Sequence, residues 1–263
     1  MSNRISQLFG NKRSGVLSIY YTAGFPEIGD TLKIAQYVEK AGADLIEIGI
    51  PFSDPVADGP TIQESNKKAL ENGMTLKLLF EQLRDLRQTV SIPVILMGYI
   101  NPVIQFGVDR FCAECKRCGI DGVILPDLPM AEYLHLYRHE FESYDLKNIF
   151  LITPQTTAER VRVIDKYTDG FIYMVSSAST TGAKSLLEDK QKEYFQRVGE
   201  MKLKNPTLVG FGISNHETFK TASAFSSGAI IGSAFINLLE NAADLEHDIN
   251  EFVKDIKGEK VSL

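Results

Sequence analysis

Eight short apolar runs rich in β-branched residues, each followed by an amphipathic stretch, constrain this chain more than any other feature. The runs cover residues 16–22, 44–50, 93–99, 122–125, 148–152, 170–175, 207–210 and 229–231. Between them apolar residues recur at helical spacing. Leu32, Ile34, Ala35 and Val38 stripe residues 30–40, which Gly42 ends, and Leu78, Leu79, Leu83 and Leu86 stripe residues 76–87. Strand and helix in strict alternation imply parallel βαβ units. Eight such units in about 250 residues is the count of a closed (β/α)8 barrel. The rival, an open doubly wound sheet, usually has fewer strands. Its G-x-G-x-x-G fingerprint is missing too, because the first run leads into Thr22-Ala23-Gly24-Phe25-Pro26. The expectation is a single α/β domain over residues 1–263, a (β/α)8 TIM barrel with a short N-terminal helix.

Charge and composition narrow the function. Lys and Arg total 28 against 34 Asp and Glu, a formal net charge of −6, and no basic run interrupts the chain. Nucleic acid and anionic membranes are therefore poor partners. No stretch approaches the roughly 18 apolar residues of a membrane span. Residues 1–9 lack the apolar core of a signal peptide. Three cysteines imply no disulfide framework, and the compartment expected is the cytoplasm.

In a (β/α)8 barrel, function sits at the C-terminal ends of the strands. Period-two alternation in Asp44-Leu45-Ile46-Glu47-Ile48-Gly49-Ile50 sends the isoleucines toward the helices and Glu47 into the barrel near its mouth. Desolvation there raises a carboxyl pKa, which suits an acid/base working near neutral pH. A structural Glu bonded to a neighbouring strand fits the same pattern. In the following loop, Asp54 precedes Pro55 and suits an Asx turn, while Asp58 precedes Gly59-Pro60-Thr61 and suits a helix cap. Gly210-Phe211-Gly212 follows the seventh run, and Gly232-Ser233 follows the eighth and opens a helix. That is the usual barrel phosphate site, although two ordinary βα turns also favour glycine. Alternation groups Ser18, Tyr20 and Thr22 on one face and Phe171 with Tyr173 on another, as barrel filling or as pocket wall.

Other signals are weaker. Cys112, Cys115 and Cys118 lie three apart within residues 109–118, but no fourth ligand follows, so they read as the packed side of a helix. His135 and His139 lack a Glu-flanked zinc motif, and their helix is expected to bury Leu134, Tyr137 and Phe141 instead. No metal site is expected. The lysines fall on helices and loops, which disfavours a Schiff-base aldolase, and clustered strand-end histidines for a metal aldolase are absent.

The stretch Glu47-Ile48-Gly49-Ile50-Pro51-Phe52-Ser53-Asp54-Pro55 through Asp58-Gly59-Pro60-Thr61-Ile62-Gln63 resembles the signature of the tryptophan synthase α subunit family. Further landmarks recur in order across nearly the whole chain. They are Gly42-Ala43-Asp44, Met97-Gly98-Tyr99-Ile100-Asn101-Pro102, Pro126-Asp127-Leu128-Pro129, Thr181-Gly182, Gly210-Phe211-Gly212-Ile213-Ser214 and Gly232-Ser233-Ala234. The resemblance implies a lyase of tryptophan biosynthesis that cleaves indole-3-glycerol phosphate to indole and glyceraldehyde 3-phosphate, a retro-aldol reaction without a metal or cofactor in this chain. It implies Glu47 as general acid/base and Asp58 as holder of the indole N–H. Tyr20, Thr22, Ile62, Leu125, Tyr173 and Phe211 match the substrate pocket, and Gly182 joins Gly210, Gly212, Gly232 and Ser233 around the phosphate. Tyr20 stands where the family often has Phe, so its hydroxyl needs a partner. Thr181 matches a residue that meets the Asp58 counterpart when a loop closes. Ser179-Thr180-Thr181-Gly182 departs there from the family's Gly-Val-Thr-Gly run, which bears on closure kinetics. The implied partner is a β subunit carrying pyridoxal phosphate, in an α2β2 tetramer, facing Asp54, Asn101 and Pro102. A stand-alone indole-releasing lyase and a non-catalytic activating subunit are the alternatives.

Overall fold

The computed structural model describes residues 3–176, 184–210 and 212–259, with residues 184–190 described by their backbone alone. Among the described residues nine strands form one parallel sheet: β1 Val16–Thr22, β2 Leu45–Gly49, β3 Val94–Met97, β4 Gly122–Ile124, β5 Lys147–Ile149, β6 Leu151–Ile152, β7 Ile172–Val175, β8 Thr207–Gly210 and β9 Gly228–Ile231. Their order is β5-β4-β3-β2-β1-β9-β8-β7-β6. The fifth expected strand is thus two pieces, β5 on β4 and β6 on β7. Phe150, between them, accepts a hydrogen bond from Tyr173 N at 3.0 Å, so the pieces run on through one residue and bring the ends of the sheet together. This is the expected barrel with its fifth strand interrupted.

Each helix follows from its apolar stripe. Thr31–Lys40 buries Ile34, Ala35 and Val38 against the sheet. The stripe expected over residues 76–87 is an α-helix Leu76–Gln82, a 3-10 turn Leu83–Asp85 and a short helix Leu86–Thr89, and the buried line Leu79, Leu83, Leu86 survives these breaks. Thr75 accepts from Leu78 N and so supplies an acceptor for one of the helix's free first-turn amides.

The pole at the N-terminal ends of the strands is closed by the helix Arg4–Asn11, whose N-cap Asn3 accepts from Ile5 N. Ile5 fills the space that Cβ atoms on Gly122 and Gly170 would need. Phe171 packs there too, its ring 5.8 Å from that of Phe9. It is barrel filling below the strand, unlike Tyr173, with which the alternation grouped it. Buried Asp121 ties the closure together, accepting from Arg4 Nη1 at 3.0 Å, Arg87 Nη2 at 2.7 Å and Val94 N at 2.9 Å. One pole is sealed, which leaves the C-terminal ends of the strands for chemistry. Among the described residues no helix is long and apolar enough to cross a membrane.

Candidate active site

Parallel pairing in register sets Tyr20 of β1 beside Glu47 of β2, and Thr22 beside Gly49. Glu47 points inward as alternation requires and is fully buried. Ser18 Oγ donates to its Oε1 at 2.8 Å, and Oε2 has no partner. Burial raises its pKa from 4.5 to about 8, while the Ser18 hydrogen bond pulls the other way. Burial thus favours the protonated form of Glu47.

A cavity of about 280 Å³ opens at the strand ends. Of the residues expected at the site, Tyr20, Asp58, Ile62, Tyr173, Gly212, Gly232 and Ser233 line this cavity. Glu47 is not among its lining residues; it stands beside Tyr20 in the strand register, and Tyr20 and Tyr173 each interact electrostatically with both Glu47 and Asp58. Leu125 is buried in the core beside the site and does not line the cavity. Thr22 is also buried off the cavity; its Oγ1 shares a 2.7 Å hydrogen bond with Ser65 Oγ, which in turn donates to Ile62 O at 2.8 Å. That pair pins β1 to the helix Pro60–Glu71. The Tyr20 hydroxyl, which needed a partner, has Thr22 as its hydrogen-bonding neighbour. Thr181, Gly182 and Phe211, with Ser179 and Thr180, lie outside the described residues.

Asp58 corrects the helix-cap expectation. The helix Pro60–Glu71 has Gly59 as its N-cap and Pro60 in its first turn, so Asp58 sits one residue too early to cap. Its side chain is free for the cavity and accepts from the Tyr99 hydroxyl at 3.2 Å. Burial raises its pKa from 3.8 to about 6, opposed by the Tyr99 hydrogen bond. Burial raises both carboxyls, Glu47 further than Asp58, so Glu47 keeps its proton to higher pH than Asp58 does. Asp54 makes no Asx turn; Val56 N donates to its main-chain oxygen at 2.9 Å, and its exposed carboxylate takes the Ser53 hydroxyl at 2.6 Å.

The opposite wall suits an anion. Gly232 caps the helix Ser233–Asn241, and the first amides of that helix have no intrahelical acceptor. Ser233 and Ala234 line the cavity, as do Gly212, at φ +74°, Ile213 and Ser214. No Lys or Arg is among the described lining residues, so an anion there is held by amides and a helix dipole. Gly210 serves differently from the expectation. Its carbonyl accepts from Ser176 N at 3.1 Å, and a Cβ on it would collide with the Tyr173 hydroxyl. Gly49 is likewise required by the Tyr20 hydroxyl.

Sequence reasoning gave no individual role to Tyr99, Met97, Gly59, Ile213, Ser214 or Ala234, and left Ser18 as barrel filling or pocket wall. Gly59, Met97, Tyr99, Ile213, Ser214 and Ala234 all lie inside recognised motifs, Met97 also at a strand end, and Ser18 lies on the inward face of β1. On the outer face, Asp54 and Asn101 are exposed and Pro102 is half-buried, near Val56 (86% exposed) and Ile104 (48% exposed). Cys112, Cys115 and Cys118 are buried on the helix Val108–Cys118, burial pushes their thiols up, and no cluster able to hold a metal occurs among the described residues. His135 and His139 are exposed, with Tyr133 and Phe141 the buried residues of that segment; Leu134 and Tyr137 are only partly covered.

Residues 7–261 match the family profile described as tryptophan synthase alpha chain. The tryptophan synthase alpha chain of Flavobacterium psychrophilum is 56% identical over 255 residues, 97% of this chain and 99% of the relative. Among solved structures, the tryptophan synthase subunit alpha of Legionella pneumophila superposes with a TM-score of 0.89 at 33% identity, covering 98% of each chain. A chain of the tryptophan synthase complex from Pyrococcus furiosus gives 0.83 at 34% identity, covering 94% of this chain and 99% of that one.

Proposed function

The chain belongs to the tryptophan synthase alpha chain family, lyases of tryptophan biosynthesis, and we propose that it cleaves indole-3-glycerol phosphate into indole and glyceraldehyde 3-phosphate. One observation carries this reading: Asp58 lines a single pocket that ends in an amide cradle, and buried Glu47 interacts with two residues of that pocket, Tyr20 and Tyr173, with burial raising the pKa of both carboxyls.

The phosphate rests against Gly212–Ser214 and the helix amides after Gly232, which fixes the glycerol chain across the pocket. The indole lies among Tyr20, Ile62 and Tyr173, with Leu125 and Thr22 behind them; the family resemblance assigns Phe211 and Thr181 to the substrate and Gly182 to the phosphate. Asp58 accepts the indole N–H and stabilises the positive charge that grows on the ring as its reacting carbon is protonated. Glu47 supplies that proton. The resulting carboxylate takes the proton of the hydroxyl on the adjacent side-chain carbon, the carbon–carbon bond breaks into the ring, and the aldehyde and indole form. Electrons and protons balance with no external reagent.

The Pyrococcus furiosus relative is a chain of a tryptophan synthase complex, and a like assembly is proposed here: an α2β2 tetramer in the cytoplasm, with pyridoxal phosphate on the β subunit. Asp54, Asn101 and Pro102, together with exposed Val56 and Ile104, form the docking face. Incubating the purified chain with indole-3-glycerol phosphate, alone and with a tryptophan synthase β chain, tests the proposal. Equal amounts of indole and glyceraldehyde 3-phosphate are expected. Absence of indole under both conditions overturns it, and stimulation of the β chain without indole release would leave only an activating subunit.

A further inference from the structure

Tyr99 touches both ends of the loop that carries Asp58. Its ring centroid is 5.1 Å from that of Phe52, its hydroxyl accepts from Ala57 N at 2.9 Å, and the same hydroxyl donates to Asp58 Oδ2 at 3.2 Å. Across residues 52–58, these are the only hydrogen bonds to another βα unit among the described residues; the rest are internal to the loop or reach Gln63 of the following helix. Tyr99 is itself fixed. Gly98 N donates to Ile124 O at 3.0 Å, and Ile100 N, the first amide of the helix Ile100–Phe106, donates to both carboxylate oxygens of Asp127 at 3.0 and 3.2 Å. Asp127 belongs to the Pro126-Asp127-Leu128-Pro129 motif, which the proposed chemistry does not otherwise use.

We propose that Tyr99 is a positioning residue for Asp58, and that Asp127 acts behind it as the anchor of a relay from the β4 loop through the β3 loop to the β2 loop. This deepens the lyase reading and rests on it for its kinetic consequences. A hydroxyl that donates to an ionised carboxylate favours the charged form and fixes which oxygen is left for substrate. Among the described residues, Tyr20 from β1 and Tyr173 from β7 interact electrostatically with Asp58 and with Glu47 of β2, and Tyr99 donates to Asp58; none of these groups is cationic. Tyr99 is thus the residue that offsets burial of the carboxylate. The burial of Tyr99 and the neighbouring Asp58 and Asp127 charges raise its own pKa, so the hydroxyl keeps its proton and remains a donor.

Tyr99→Phe keeps the ring on Phe52 and removes only the hydroxyl. Two readouts apply to wild type, Tyr99→Phe, Asp127→Ala and the double variant. The first is a 13C titration of Asp-labelled protein, with the Asp58 signal assigned by its loss in Asp58→Asn; it needs no turnover. In Tyr99→Phe the Asp58 carboxyl should titrate at higher pH, and in Asp127→Ala it should move the same way by less. The second is indole release, expected to fall about tenfold in Tyr99→Phe with an acidic limb moved up in pH. The double variant should be no worse than Tyr99→Phe. An unmoved Asp58 titration overturns the positioning role whatever the rates do. A moved titration in a chain that releases no indole keeps the positioning role and sinks the lyase reading instead.

Discussion

The Tyr173 hydroxyl occupies the place of a Cβ on residue 210, so only glycine at that position lets the ring form the cavity wall. Gly210→Ala should therefore push Tyr173 into the pocket, cost about 1–3 kcal/mol as an overpacking change, and depress activity. Tyr173→Leu removes the ring and should make Gly210→Ala nearly neutral for stability. Urea unfolding of the two singles and the double checks this, and additive effects would show that the two residues do not compete for one space.

Activity should follow a bell in pH. Asp58 must be ionised to hold the indole N–H, and it gains a proton as pH falls through about 6. Glu47 must begin protonated, and it loses its proton as pH rises through about 8. A kcat/KM profile on the free enzyme reads both limbs. Ser18→Ala removes the hydrogen bond that favours the Glu47 carboxylate, so its alkaline limb should move to higher pH. A limb that moves lower contradicts the assignment.

The raised Glu47 pKa also has a thermodynamic signature. Glu47 ionises near 4.5 when unfolded and at about 8 when folded, so the folded chain holds the extra proton in that window. Its stabilisation is complete below 4.5 and is lost as pH rises through 8. Glu47→Gln carries no such linkage. Relative to wild type the variant should gain a few kcal/mol of stability between about pH 5 and about pH 9, because each tenfold change in an ionisation constant is worth about 1.4 kcal/mol. Urea midpoints at both pH values measure it, and an unchanged difference would place Glu47 in a wetter setting than its burial indicates.

Much of this was legible in the chain. Period-two alternation placed Glu47 inside, and eight strand–helix units specified the barrel, because both depend on local spacing. Gly212, Gly232 and Ser233 were readable from their position after late strands. What escaped depends on contacts between units distant in sequence. The interruption of the fifth strand at Phe150 leaves no mark in an apolar run. Asp58 looked like a cap because its offset of one residue from Gly59 is decided by Pro60 and by Tyr99, a residue 41 positions away. Gly210 looked like part of a phosphate cradle because its glycine is demanded by Tyr173, which lies on another strand. Asp127 stands in a recognised motif, but its role is not legible there, since it depends on accepting an amide from the preceding βα unit.

The most direct test is single-turnover indole release by wild type and Glu47→Gln, at about pH 7, with β subunit present. The chain has no Trp, so indole fluorescence stands clear of its own emission. Glu47→Gln should be slower by at least ~100-fold, the low end for loss of a general acid/base. Wild-type rates in that variant would contradict Glu47 as the proton donor, and with it the proposed mechanism.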